Sequence, residues 1–438
     1  MKTFRNWLIP LLITASIAFT YLAPHVSKSL KLTQNFPATV CPGLDSNGKT
    51  SVILPSKKIG IRDVGSKSLK PSKSHDPVFK VSGKPLLVDG TATTSITLSA
   101  LAGHWIGWTT CSLGDGDQWF VGGSATVTSK SRLDIVNSGL SDANVSITTY
   151  GSHQSPVVSN VLVKANSDKA ISLDSLLPGE SFLALHVLTN SGRVTSFLFD
   201  QERKGLTDLG MDYVNSIAAP STSLIIPAVF NNSDKKATIS HSLRLLAPGT
   251  FDASIKVTIH GQDGSYTPLG FDQITLTHGR VRQIPLQSIV ETTPFSIEIS
   301  SDQPIVGSVR SQYTQGGVTD FAWETPAPPL TSVSMNLHGA TPYFVFNGDQ
   351  LNVAINWLST TGKRGSVAVV GQQIGLWHPT SPISSITLTS QGTTTQAGAI
   401  FQSSGTDNFG LSYLPVAQGS TMETASAPVV SAGVISRG

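Results

Sequence analysis

The sequence predicts an all-β chain, built as tandem β-sandwich modules of immunoglobulin-like size after one N-terminal transmembrane or signal helix. Three observations predict it. Apolar and polar residues alternate at period two through most of the chain beyond residue 26. Turn residues bound these runs, as in Ser138-Gly139, Pro248-Gly249 and Gln262-Asp263-Gly264. A domain-sized segment is used twice, from Leu133 to Gln201 and again from Leu243 to Gln312.

The two copies match residue by residue. Leu133, Gly139, Asp142, Val145, Ile147 and Gly151 fall 110 positions before Leu243, Gly249, Asp252, Ile255, Val257 and Gly261. Further on, Ala170 to Phe182 matches Gln283 to Phe295 at an offset of 113, and Gln201 matches Gln312 at 111. Small slips of this kind are what hairpin loops of variable length produce. Within the copies Leu183, Leu185 and Val187, and likewise Phe295, Ile297 and Ile299, occupy every second position. One face of each strand is thereby assigned to a core and the other to water, and two packed sheets per copy satisfy that pattern.

The flanking regions follow in order. Trp7 to Ala23 is an uncharged, mainly apolar run of 17 residues behind Lys2 and Arg5, read as a signal anchor or signal peptide over residues 1–26. The one small-x-small cleavage signature, Ser16-Ile17-Ala18, would leave a short apolar core, which favours an uncleaved anchor. Residues 27–84 are rich in Ser, Lys and Pro and read as a basic linker, with short strand-like runs at Ser51 to Leu54 and Lys58 to Ile61. The first sandwich is expected over 85–220, the second over 221–327, a third and diverged β domain over 328–419, and a flexible tail over 420–438. Charge is uneven along this order: 13 Lys/Arg against 3 Asp/Glu in residues 1–84, then 17 against 24 in the remainder. A basic stretch beside a bilayer is drawn to anionic head groups, or is simply a solvated linker. It lacks the interleaved aromatics of a nucleic-acid surface, so no nucleic-acid partner is expected.

Two cysteines, Cys41 and Cys111, in an exported chain point to one disulfide. Around Cys111 stand Trp105, Trp108, Trp119 and Phe120. Such a cluster serves either as a sugar-stacking platform or, the commoner use, as core around a disulfide. Asp115 and Asp117, and Asp45-Ser46-Asn47-Gly48, are incomplete as calcium loops and read as turns. The chain carries no HExxH, GxSxG, GxGxxG or P-loop pattern. Its scattered histidines, among them His104, His186 and His260, form no short metal pair, so neither metal nor other cofactor is expected. Glu180, Asp200, Glu202 and Glu298 are the carboxylates available to glycoside chemistry, or are solvated surface groups. Asn144-Val145-Ser146 and Asn231-Asn232-Ser233 fit the glycosylation triplet.

Cys41-Pro42-Gly43, the stretch GWTTCSLGDGDQWFVGG from Gly107 to Gly123, and LDIVNSG from Leu133 to Gly139, behind one apolar N-terminal segment, resemble the DUF5719 group. The resemblance spans residues 36–420 and implies an exported or membrane-anchored actinobacterial protein made of β-rich modules. It brings no catalytic residues with it. The second copy departs from the first at Ala247-Pro248, where the first has Asn137-Ser138. The function expected is a non-enzymatic cell-envelope protein with a structural or binding role. The body would lie outside the membrane, single-pass or secreted, and its loops would meet an envelope glycan or another envelope protein. The alternative is a polysaccharide-modifying enzyme or an enzyme accessory.

Overall fold

The computed structural model describes residues 39–417 except 44–48, 55–58, 67–71, 74–77, 82, 90–93, 96, 103–104, 113–114, 206, 288, 393 and 405–408. The N-terminal apolar run, the tail 420–438, His104 and the Asp45-Ser46-Asn47-Gly48 turn lie outside the described residues. Among the described residues no helix is long and apolar enough to cross a membrane. Among those residues the one helical turn is a 3-10 turn at Leu173–Ser175. Everything else regular is strand, as the alternation requires.

The strands fall into four segments, here A to D. Segment A holds β1 (Thr39–Cys41), β2 (Lys49–Ile53), β3 (Gly60–Asp63), β4 (Ser72–Lys73), β5 (Val78–Val81), β6 (Leu86–Asp89), β7 (Thr94–Ser95), β8 (Thr97–Ala102) and β9 (Trp105–Thr110). Segment B holds β10 (Asp117–Val121), β11 (Arg132–Asn137), β12 (Ala143–Tyr150), β13 (Val157–Val163), β14 (Ser167–Ser172), β15 (Ala184–Ser191), β16 (Val194–Lys204) and β17 (Thr207–Val214). Segment C holds β18 (Ser221–Val229), β19 (Ala237–Leu246), β20 (Ala253–Gly261), β21 (Gly264–Tyr266), β22 (Ile274–Leu276), β23 (Val281–Leu286), β24 (Phe295–Gln315) and β25 (Val318–Glu324). Segment D holds β26 (Ser332–Asn336), β27 (Tyr343–Ser359), β28 (Arg364–Trp377), β29 (Ile383–Ser390), β30 (Gln396–Ser404) and β31 (Phe409–Pro415).

One pairing scheme underlies all four. In B, one sheet runs β10-β15-β12-β13 and the other β14-β11-β16-β17. By position within the segment these orders are 1-6-3-4 and 5-2-7-8. Segment A repeats them as β1-β6-β3-β4 and β5-β2-β8-β9, with β7 as an extra strand that runs parallel to β26. In C, positions 6 and 7 merge into the 21-residue β24, whose first half pairs with β18 and β20 and whose second half pairs with β19 and β25. In D, positions 2 and 3 merge into β27 and positions 4 and 5 into β28, and the pairing is otherwise the same.

The same order of strand pairing recurs in all four segments, not only in B and C, where the sequence copies lie. Segment D follows the scheme in full. Residues 39–84, expected as part of a linker, supply five of segment A's strands, and Val52, Leu54 and Ile61 there are at most 1% exposed. The linker reading failed because the strands are only two to five residues long and sit among lysines. The boundary at residue 85 fails with it, since β6 to β9 complete segment A.

Burial follows the alternation. Val145 and Ile147 in β12, and Ile255, Val257 and Ile259 in β20, are at most 1% exposed, while Asn144 and Lys256 face solvent. Each such side chain contributes about 1.5–3 kcal/mol of burial. The matched polar positions also have one job each. Asp142 Oδ1 accepts the Ala165 amide at 3.0 Å, and Asp252 Oδ1 accepts the His278 amide at 2.9 Å. A Cβ on Gly151 would lie 2.6 Å from Glu180 Oε2, and one on Gly261 would overlap the Glu291 carboxylate. Both glycines leave room for a carboxylate under the end of strand 3.

Candidate functional site at the junction of the segments

The segments are not separate bodies on a string. Their last strands, β9, β17, β25 and β31, pack against one another in cyclic order, and β17 also meets β31 across the middle. All the described residues belong to one compact unit. The apolar part of this seam includes Met211, Tyr213, Phe321, Trp323, Leu411 and Tyr413, all at most 1% exposed.

Sheet strands brought together from different segments without a common ladder must satisfy their backbone by other means. Buried carboxylates do this here. Asp320 Oδ1 accepts the Met211 amide at 3.0 Å and Oδ2 accepts the Leu411 amide at 2.9 Å, joining C to B and to D. Asp212 Oδ2 accepts the Trp323 amide at 2.8 Å, and its Oδ1 accepts the Ser412 hydroxyl at 2.7 Å. That hydroxyl oxygen in turn accepts the Trp108 amide at 2.8 Å, which ties in segment A. Both aspartates are wholly buried, and burial pushes their carboxyls well above the usual range against the pull of these bonds. Glu324 accepts the Phe230 amide at 3.3 Å and is raised to about 8, again chiefly by burial. Arg244, 2% exposed, donates to Gly123 O at 2.6 Å and to Gln283, and lies 4.5 Å from the Trp323 ring centroid. Burial lowers it to about 10.

Because the last strands converge, so do their exits. The connectors between segments and the chain beyond β31 line one cavity of about 470 Å³, within the range of small-molecule sites. Its wall combines Phe120, Phe197 and Leu224 with Pro326, Pro328 and Pro329, and with hydroxyls of Thr110, Ser112, Ser216 and Ser221. Two of the three side-chain amides at its wall are already engaged, while the Oε1 of the third, Gln396, is buried without a partner. Gln118 exchanges two hydrogen bonds with the Ser196 backbone at 2.9 and 3.3 Å, and Asn215 bridges Thr109 and Tyr413 O, both at 3.1 Å. Of its described lining residues, Asp115 alone carries a carboxylate and none is Lys, Arg or His. Such a wall suits an uncharged polar guest and offers no positioned acid–base pair.

The expected site residues divide differently. Cys41 and Cys111 form the disulfide, and Cys111 also lines the cavity. Trp105, Trp108 and Trp119 are 8%, 8% and 6% exposed, so they make no solvent-facing platform. They also belong to three different cores. Trp105 lies with Cys41 and Cys111 in segment A and donates to Thr319 O at 2.8 Å. Trp108 stacks on Phe401 of segment D at 4.1 Å. Trp119 stacks on His186 at 4.0 Å between B and C. The aromatics are dense in this stretch because it passes three interfaces in succession.

The four candidate carboxylates form no pair facing a cavity: Asp200 lies close enough to Glu202 for its charge to raise that carboxyl, and both, with Glu180, act on the buried Arg244, while Glu298 stands apart on β24. Glu180 accepts the amides of Ser152, Ser181 and Phe182 at 2.9–3.2 Å. Asp200, fully buried, accepts Trp323 Nε1 at 2.9 Å and the Ser131 hydroxyl. Glu202 pairs with Arg310 at 2.7 Å, and Glu298 with His260 at 3.1 Å. His260 Nδ1 also meets Ser265 Oγ at 2.7 Å, which completes a serine–histidine–carboxylate chain. The Ser265 hydroxyl also bonds Gln373 of segment D, so the chain links C to D. Asp115 accepts the Asp117 amide at 3.4 Å, and Asp117 pairs with His186 at 2.8 Å, as expected of a turn. Among the described residues no three His, Cys, Asp or Glu gather to hold a metal. Sequence reasoning missed Asp212 and Asp320; the signal was an aspartate set beside apolar residues in a closing strand, in GMDYV and TDFAW.

Several solved structures match parts of this architecture. A crystal structure of Thermotoga maritima 1070 is 20% identical over 23% of this chain and 93% of its own, with a TM-score of 0.21. A structure of the infectious bursal disease virus Gx strain is 11% identical over 81% and 80%, at 0.14. A tetra-tandem repeat from the extending region of a large adhesion protein is 14% identical over 87% and 94%, at 0.12. None superposes closely enough to carry fold or function across. No curated protein matches the chain. A family model does, over residues 89–371, from the end of β6 in segment A into β28. The chain belongs to that family, the family of unknown function DUF5719.

Proposed function

We propose that the protein is a non-enzymatic component of the cell envelope, a rigid set of tandem β-sandwich modules with a structural or binding role. The observation that carries this reading is the use to which its buried ionisable groups are put. Asp212, Asp320 and Arg244 each bond across segments, so the groups most shifted by burial brace the assembly. Perturbed groups at an active site would instead converge on a cleft. The disulfide supports an oxidising compartment outside the cytoplasm. The apolar run at Trp7 to Ala23 supports a single-pass anchor with an extracytoplasmic body, or a secreted form if it is removed. The junction cavity, walled by hydroxyls, prolines and phenyl rings, supports an uncharged guest such as an envelope glycan segment.

The test is to incubate the purified full chain with isolated envelope glycan and to follow both co-sedimentation and the appearance of new reducing ends. Co-sedimentation without new ends is the expected result. Reducing ends that accumulate with time would overturn the non-enzymatic reading in favour of a polysaccharide-modifying enzyme.

A further inference from the structure

Strand β28 presents the longest uncharged edge among the described strands. Among the described residues it pairs only with β27. It is 14 residues long, and from Gly365 to Trp377 it contains no charged residue and no proline. Long, uncharged edges are templates for another strand, and proteins usually blunt them with lysine, proline or shortness. The corresponding edges elsewhere are shorter, and most carry charge or proline, β13 only at its two ends. β13 is bounded by Pro156 and Lys164, β14 contains Asp168 and Lys169, β23 contains Arg282 and Pro285, and β22 is three residues long.

The exposed part of β28 reads nearly the same in both directions. Gly365-Ser366-Val367-Ala368-Val369-Val370-Gly371 has a pseudo-dyad at Ala368. Two such strands laid antiparallel with Ala368 facing Ala368 would place Gly365 opposite Gly371, Val367 opposite Val369 and Ser366 opposite Val370. Glycine meets glycine and β-branched meets β-branched, the arrangement an isologous two-fold interface requires. On the inner face, Val367 and Val369 lie in register with Ile355 and Val353, which are fully buried. A second copy's valines would therefore extend that core across the edge. On the outer face Val370 is 73% exposed.

We propose that β28 is a self-pairing edge, through which two copies of this chain join antiparallel about Ala368 into one continuous sheet. The native cysteines are consumed in the Cys41–Cys111 bond, so a single introduced cysteine reports on the interface. Full-length Ala368→Cys under mild oxidation is expected to give a covalent dimer at twice 46.1 kDa on non-reducing gels. Val370→Cys, the more exposed position but facing Ser366 rather than itself, is expected to give several-fold less. In sedimentation of the full chain in detergent, the double variant Ser366→Lys/Val370→Lys, which sets like charges face to face at two exposed positions, should weaken dimerisation at least tenfold. Equal cross-linking of the two cysteine variants, or a wild-type chain that stays monomeric up to about 100 µM, overturns the proposal.

Discussion

Asp212 and Asp142 both belong to segment B and both accept backbone amides, yet they sit in opposite surroundings. Asp142 lies at a solvent-facing turn, where it takes the Ala165 amide and the Lys164 ammonium, and those bonds hold its carboxyl below the usual range. Asp212 lies in the seam with no exposure, takes the Trp323 amide of segment C, and is raised by burial. The bond is the same and the alternative to it is not. At the rim, water replaces a lost carboxylate. In the seam nothing does, so the donors of neighbouring segments are left unpaired. The difference teaches that the seam is the part of this fold that depends on particular side chains, while the rim depends mainly on the strand pattern.

The largest effect should come from removing a seam carboxylate. Asp320→Ala strands the Met211 and Leu411 amides at roughly 1–3 kcal/mol each, so about 4 kcal/mol of unfolding free energy should be lost. Asp320→Asn retains one acceptor and should lose about half of that. Urea midpoints of the purified chain measure both; a loss below about 1 kcal/mol would mean that water reaches the seam. Next is the disulfide. It closes a separation of 70 residues within segment A, and Cys41→Ala/Cys111→Ala should cost about 2–4 kcal/mol. That variant also sharpens the comparison. If the seam couples the segments, the whole chain should still unfold in one transition; a separate early transition for A would show that the seam transmits little.

The sequence carried the rim well and the seam poorly. Leu133/Leu243, Asp142/Asp252 and Gly151/Gly261 could be matched because each does a local job inside its own segment, and a local job leaves a local pattern. Segment A escaped notice because strands such as Ser72–Lys73 are too short to display a period. Segment D was blurred by fusion: β27 and β28 each run through two positions of the scheme, which erases the turns that would have marked the boundaries. Segment B keeps its break between β15 and β16 with Gly192 at φ +93°, whereas C runs straight through the same place as β24. Trp105, Trp108 and Trp119 could be read as core or platform because sequence fixes which residues are aromatic but not which neighbouring segment covers them. Asp212 and Asp320 act on amides of other segments, more than 90 residues away in the chain, and no periodicity encodes that.

Acidity separates the two regions by sign. Glu324 in the seam is held protonated up to about pH 8, against 4.5 when unfolded. Its contribution is full below pH 4.5 and is lost as pH rises to about 8, at up to about 1.4 kcal/mol per pH unit. His241, lowered by burial to about 4, acts oppositely between pH 4 and 6.5, because there the unfolded chain binds the extra proton. The clean comparison is therefore Glu324→Gln against wild type from pH 6.5 to 8, followed by thermal melts. Wild type should lose stability relative to the variant as pH rises; parallel curves would show that Glu324 ionises as freely folded as unfolded.

The smallest effect belongs to the rim, and it is the one that decides whether the comparison holds. Asp142→Ala and Asp252→Ala remove the same amide-to-carboxylate bond from matched turns of B and C. Both carboxyls are lowered by their bonds, so what they contribute is present above about pH 3.8 and is lost as pH falls. With water at hand to satisfy Ala165 and His278, each variant should melt within about 1–2 °C of wild type at neutral pH. The two should also agree with each other, because the turns are equivalent. If either variant were as damaging as Asp320→Ala, burial would not be what distinguishes seam from rim. The cost would then lie in the geometry of the turn itself, in the chain's need for Asp142 or Asp252 to set the path from strand 4 into strand 5.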